Sequence, residues 1–188
     1  MATADELAGA HRWVQRQRAF GYYMRFRAAV IGSIARRDDP VWEDPIIRDA
    51  DLMCAVTMLR NVVRSARLMA VLTESEHAKA QLNAALGQFS LALPGLNEMR
   101  NVLEHFDDYL LGNGRMQQRH GSPTFPVWLH VPHQGHQWDL RIGEHTLSLN
   151  DVEPAMEPLT HAVHHASMGL PDLDVLEELG IITTDSDR

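Results

Sequence analysis

The sequence predicts a mainly α fold: a bundle of four to five helices that carries a small C-terminal β-hairpin and a returning helix. Three observations point there. Apolar side chains recur at helical spacing through residues 5–112. The interruptions fall at turn-forming clusters, "RRDDPVWEDP", "LPG" and "GNG". Clear two-residue alternation is confined to "WDLRIGEHTLSL". A chain of 188 residues, 45% of them hydrophobic, suits one core and leaves little room for two, and it has no internal repeat or low-complexity linker. Residues 1–188 are therefore read as a single domain, with a helical core over 5–112, a hairpin-plus-helix appendage over 124–168 and an acidic tail over 169–188.

The first helical stretch, about 5 to 36, holds Leu7, Trp13, Phe20, Tyr23, Phe26, Val30 and Ile34 at mixed spacing, as one long helix or two consecutive ones. Two prolines and four acids in "RRDDPVWEDP" end it. A second helix is expected from about Asp49 to Met69, with Leu52, Val56, Leu59, Val63 and Leu68 near one stripe. "TESE" at 73–76 reads as a capping box, Thr73 with Glu76, opening a third helix that Pro94-Gly95 breaks after about Leu93. The fourth runs from about Leu96 to Leu111 and stops at Gly112-Asn113-Gly114. "FPVWLHV" is a candidate strand. In the hairpin a Gly143-Glu144 turn sets Leu140 opposite Leu147 and Trp138 opposite Leu149, both pairs core-facing. Asn150 or Asp151 then caps a last helix over about 152–167, weakened by Pro154 and Pro158.

Composition narrows the function. No apolar run approaches the ~18 residues of a membrane helix, and the N-terminus lacks the apolar stretch of a signal peptide, so the expectation is a cytoplasmic protein with no membrane partner. One cysteine, Cys54, in "DLMCAVTML", allows no intramolecular disulfide and no cysteine-rich zinc site, and is read as core. A formal net charge of -8 argues against general electrostatic coating of nucleic acid. The balance is uneven: residues 1–70 carry +3 and residues 71–188 carry -11, and Lys79 is the only lysine. Arginine suits bidentate phosphate recognition, although a compositional bias gives the same count.

The fourth helix, "EMRNVLEHFDDYLLG", raises the functional question. At 100° per residue, Leu96, Met99, Leu103, Phe106 and Leu110 form its buried stripe, while Asn101, Glu104, His105 and Asp108 lie on the far side with Arg100 at the margin. Such a polar stripe is either a solvated surface or a cleft shared with another subunit. Spacing alone decides nothing, since 16 arginines and 11 histidines in 188 positions give roughly one Arg-x-x-x-x-His by chance. A second pair, Arg115 and His120, follows the Gly-Asn-Gly breaker and is set aside.

"RNVLEH", as Arg100, Asn101 and His105, resembles the signature of the HEPN domains (higher eukaryotes and prokaryotes nucleotide-binding), helical bundles with Arg, a polar residue, three variable residues and His in a late helix. The resemblance covers residues 5–112 and not the C-terminal hairpin and helix. It implies a homodimer through the motif helix and a metal-independent endoribonuclease of toxin, stress or defence biology, acting on RNA without a cofactor, alongside an antitoxin or regulatory protein. Arg100 would bind the scissile phosphate, His105 would act as acid or base, and Asn101 would orient His105 or a phosphate oxygen. Some members carry a tyrosine two residues after the histidine; here that place is Asp107, and Tyr109 lies one turn beyond His105. Glu104, Asp108 and Tyr109 are read as substrate-binding or orienting residues. The alternatives are a non-catalytic module of the same type that binds RNA, nucleotide or protein, and a plain helical structural protein.

Other clusters read as bland. His130, His133 and His136 in a loop, and His161, His164 and His165 on a helix, invite a metal, but without HExxH or cysteines they are read as surface residues and no metal is assigned. "RNVVR" at 60–64 lacks the histidine and is an ordinary helix with phosphate contacts as a secondary role. Trp13, Phe20 and Tyr23 could stack on single-stranded RNA, but are read as core.

Overall fold

A computed structural model describes residues 3–37, 45–105, 133–134, 137–142 and 145–169. Among them are five helices: α1 (Ala4–Arg37), α2 (Pro45–Leu72), α3 (Glu76–Ala92), α4 (Leu96–Glu104) and α5 (Leu149–Met168), with strands β1 (His133–Gln134), β2 (Gln137–Ile142) and β3 (His145–Ser148) between α4 and α5. The mainly helical fold with a hairpin and a returning helix is as the sequence predicts.

The first stretch is one helix of 34 residues. A reciprocal capping box starts it. The Thr3 backbone N–H donates to the Glu6 carboxylate at 2.7 Å, and the Glu6 N–H donates to Thr3 Oγ1 at 3.2 Å. α1 packs along α2 and against α5. Arg12 Nη1 donates to the free carbonyl of Leu72 at 3.1 Å, which satisfies one orphan acceptor at the end of α2. Arg27 and Tyr23 reach Glu153 of α5, at 3.7 and 3.4 Å. Tyr23 is half-buried against the core, as expected, but Trp13 and Phe20 are not core: each is 57% exposed. α1 buries only a narrow line through Ala19 and Phe26, and these two side chains point away from it.

α2 starts earlier and ends later than its apolar stripe suggests. Ala55, Val56, Leu59, Val62, Val63, Ala66, Met69 and Ala70 form its core face, whereas Leu68 and Cys54 are exposed, which corrects the core reading of both. The capping box expected at 73–76 is also replaced. Thr73 is buried and its hydroxyl donates back to Met69 O at 2.8 Å, closing α2 instead of opening α3. Ser75 is the N-cap, its Oγ accepting from the Ala78 N–H at 3.1 Å, and Glu76 faces solvent to pair with Lys79. Two patterns of Thr-x-x-Glu thus have different outcomes, because only Thr3 has its hydroxyl free to cap.

Leu140, Ile142 and Leu147 of the hairpin are buried, and the register pairs Leu140 with Leu147 and Ile142 with His145, as a two-residue turn requires. The second expected pair does not form. Leu149 already starts α5, so β3 ends at Ser148 opposite Asp139, and the backbone of Trp138 pairs with His133 of β1. The sheet rests on α5 and touches α4. Its approach is close: a Cβ on Gly95, in the turn between α3 and α4, would lie 2.9 Å from the carbonyl oxygen of Thr146. α5 begins at Leu149 after Ser148, which makes no side-chain capping bond, and runs through Pro154 and Pro158, both exposed. Its inner face buries Val152, Ala155, Met156, Leu159, Ala162, Val163 and Ala166 against α3, and Gly169 ends it in the left-handed conformation, φ 60°. Each large side chain fully buried here, such as Phe89, Leu82, Met99 or Leu159, is worth about 1.5–3 kcal/mol of transfer free energy.

No helix among the described residues is long and apolar enough to cross a membrane. α4 ends at Glu104, and residues 106–111, over which the fourth helix was expected to run on, lie outside the described residues, as do the candidate strand "FPVWLHV", the Gly143-Glu144 turn, His130, His136 and residues 170–188 of the acidic tail.

Candidate functional site

α4 buries Leu96, Met99 and Val102, with Leu103 half-buried beside them. The core face is thus centred on Met99, and Val102 takes the fully buried place expected of Leu103. The opposite face holds the motif. Arg100 is half-buried, and Asn101, Glu104 and His105 are exposed. His105 is the C-cap residue, its N–H donating to Asn101 O at 3.2 Å, so its ring starts from the point where regular helix ends. Asp108 and Tyr109 lie outside the described residues.

The contacts of these side chains differ from expectation at one point. Arg100 Nη1 donates to Asn101 Oδ1 at 3.0 Å, and Arg100 Nη2 forms an ion pair with Glu104 one turn on. Asn101 therefore orients the arginine, and Glu104 holds the same guanidinium from the other side. With side-chain exposures of 35% and 48%, the Arg100–Glu104 pair is solvent-screened and weak enough to exchange for another anion.

Arg100 and Glu104 form one wall of a groove of about 540 Å³ between α4 and α2. The α2 side consists of Met53, Thr57, Arg60, Asn61, Arg64, Arg67, Leu68 and Val71, and Leu103 completes the α4 side. Four arginines face one carboxylate. Arg60, Arg64 and Arg67 stand at i, i+4 and i+7, which puts them on one face of α2 in a row about 10 Å long at 1.5 Å per residue. Arg64 and Arg67 are exposed and form no ion pair with a described residue. Arg60 lies deeper: its Nε and Nη1 are shielded from solvent and have no hydrogen-bond partner. Burial, followed by the charges of Arg67 and Arg100, pushes the Arg60 pKa below its ordinary value, against a smaller opposing effect of Glu104. A guanidinium still stays protonated at neutral pH. The shift therefore records first the cost of burying this guanidinium and then that of holding it beside other cations, and a bound anion would offset both.

Sequence reasoning had touched Arg60 and Arg64 only as secondary phosphate contacts and had passed over Arg67. The available signal was the Arg-x-x-x-Arg-x-x-Arg spacing; the depth of Arg60 was not visible in it.

The helical histidines of α5 lie elsewhere. His161 and His164 line a second groove of about 490 Å³ between α1 and α5, with Arg16, Phe20 and Glu157. His165 is half-buried. Among the described residues, no group of three or more His, Cys, Asp or Glu side chains is placed to hold a metal ion. Comparison of the chain with protein-family models, with curated proteins and with solved structures finds no match to any of them.

Proposed function

We propose that this chain is a metal-independent endoribonuclease of HEPN type, with Arg100, Asn101 and His105 as its catalytic set and a homodimer as its working form. The observation that carries the reading is that Arg100 lines a groove together with three arginines of α2, while Asn101 and His105 lie on the exposed face of the same helix. In the reaction, the ribose 2′-oxygen attacks the adjacent phosphorus, the bond from phosphorus to the 5′-oxygen breaks, and a 2′,3′-cyclic phosphate and a 5′-hydroxyl result. His105 takes the 2′-hydroxyl proton, and His105 of the second copy gives a proton to the leaving oxygen. Arg100, released from Glu104, neutralises the charge that builds on the phosphoryl oxygens. The Asn101 amide keeps its guanidinium aligned.

The alternative is a module of the same type that binds RNA without cutting it, and the Arg100–Glu104 pair favours it, because it occupies the arginine that the chemistry needs. Incubation of purified protein with mixed cellular RNA in excess chelator separates the two. The ribonuclease reading expects fragments ending in 2′,3′-cyclic phosphate, with a loss of about 10²–10⁴-fold in His105→Ala. Intact RNA in the presence of a well-folded dimer would leave the binding module.

A further inference from the structure

α2 contributes more cationic surface to the groove than the motif helix does, and nothing in the motif accounts for it. Arg60, Arg64 and Arg67 line the side opposite Arg100, and among the described lining residues Glu104 is the only carboxylate. The row is continuous with Arg100, which extends the positive surface from α2 to the helix that bears His105. Arg60 supplies an independent sign of a missing partner. An arginine that keeps two guanidinium nitrogens away from water with nothing to donate to, beside other cations, is disfavoured unless an anion completes it.

We propose that the α2–α4 groove is a track for the phosphodiester backbone of single-stranded RNA, in which Arg60, Arg64 and Arg67 hold the phosphates flanking the one that Arg100 engages. The proposal rests on the RNA reading above and deepens it. A row about 10 Å long outreaches any single phosphate. Its donors are planar forks matched to phosphoryl oxygens, with no lysine among them. The exposed apolar side chains of Leu68 and Val71 flank the row and offer a surface for ribose and base faces. Among the described residues no aromatic side chain lines the groove, so their contacts are with the backbone and are indifferent to sequence. A flexible single strand can settle onto Arg60 at the groove floor, whereas a rigid duplex presents its phosphates on a convex surface.

The test is binding of a fluorescein-labelled 2′-O-methyl oligouridylate of twelve nucleotides, followed by anisotropy from 50 to 300 mM salt. This probe lacks the 2′-hydroxyl, so binding is read apart from cleavage. Arg64→Gln and Arg67→Gln, both exposed and expected to fold, should each weaken binding about ten-fold at low salt. Each should also flatten the slope of log affinity against log salt by about 0.7. Arg60→Gln should do the same, Glu104→Gln should tighten binding roughly two- to five-fold, and Arg25→Gln on the exposed side of α1 should change neither quantity. Failure of the wild type to bind, or wild-type affinity and slope in the three arginine variants, overturns the proposal. A change of oligomeric state by light scattering without a change in affinity also overturns it and makes the groove a protein interface. Tight arginine-dependent binding without any cleavage of natural RNA would sink the ribonuclease reading and leave the track standing. Cleavage with equal kcat/KM in the wild type and all three variants would do the reverse.

Discussion

Replacing Arg60 by Met should make the protein more stable. Methionine keeps the length of the aliphatic stem that packs between α2 and α4 and removes the guanidinium. Two N–H-bearing nitrogens, Nε and Nη1, are shielded from water without partners, and a buried unsatisfied donor costs about 1–3 kcal/mol. The residue as a whole is only partly buried, so the lower part of that range applies, and some cost returns when a solvated head group is lost. Relief of the repulsion from Arg67 and Arg100 adds to the gain. A net stabilisation of about 1–2 kcal/mol follows, which for a chain of this size raises Tm by about 2–8 °C. Thermal denaturation by circular dichroism, with urea titration to confirm an unchanged m value, measures it. Arg64→Met, at an exposed position, should stay within about 0.5 kcal/mol of wild type. Inorganic phosphate should raise the Tm of the wild type more than that of Arg60→Met, since an anion stabilises the fold in proportion to how well the folded site holds it. A fall in Tm for Arg60→Met would refute the reasoning, because it would mean that the shielded nitrogens are already satisfied and that no anion is needed to complete the site.

Two further predictions concern the fold. A methyl group on Gly95 meets the Thr146 carbonyl oxygen at 2.9 Å, so Gly95→Ala should force the α3–α4 turn off the sheet and cost about 1–3 kcal/mol, whereas Gly87→Ala on the open side of α3, where nothing lies within 4 Å, should gain about 0.5–1 kcal/mol. Urea denaturation of the two variants side by side checks the contrast. Ser75→Ala should cost about 1 kcal/mol through loss of the bond to Ala78, and Glu76→Gln less than about 0.5 kcal/mol, because its carboxylate reaches Lys79 and not the start of the helix; equal losses in both would restore the reciprocal box.

The hairpin was legible as far as its period of two runs: the turn fixes Leu140 opposite Leu147, whereas Trp138 and Leu149 do not pair because α5 already begins at Leu149. Helix positions were legible for the same reason, but helix environments were not. Nothing in the periodicity of α1 says that the helix rests on its neighbours by Ala19 and Phe26 and leaves Trp13 and Phe20 in solvent. Nor does local pattern decide between Thr73 and Ser75 as a cap, since the choice depends on whether the threonine hydroxyl is drawn back into the preceding turn by Met69 O. At the site, the polar face of α4 followed from its apolar one, with a shift of the core from Leu103 to Val102. The partner of that face did not follow, because α2 and α4 are brought together by the α3 turn and by packing of Met99 and Val102 that no short stretch encodes.

The net charge of -8 argued against general coating of nucleic acid, and that argument survives the groove. What it does not bear on is a local site. Charges farther off than about 8–10 Å are largely screened at physiological salt, so an anion in the groove responds to the nearest charges, of which the described lining residues supply Arg60, Arg64, Arg67, Arg100 and Glu104, a net of three positive charges. The half-buried Met53 and Leu103 and the exposed Leu68 and Val71 give the groove apolar sides beside the arginines. α1 carries arginines of its own, among them the exposed Arg18 and Arg25, so it is the contrast between the groove variants and Arg25→Gln, and not the net charge, that decides which surface holds a strand.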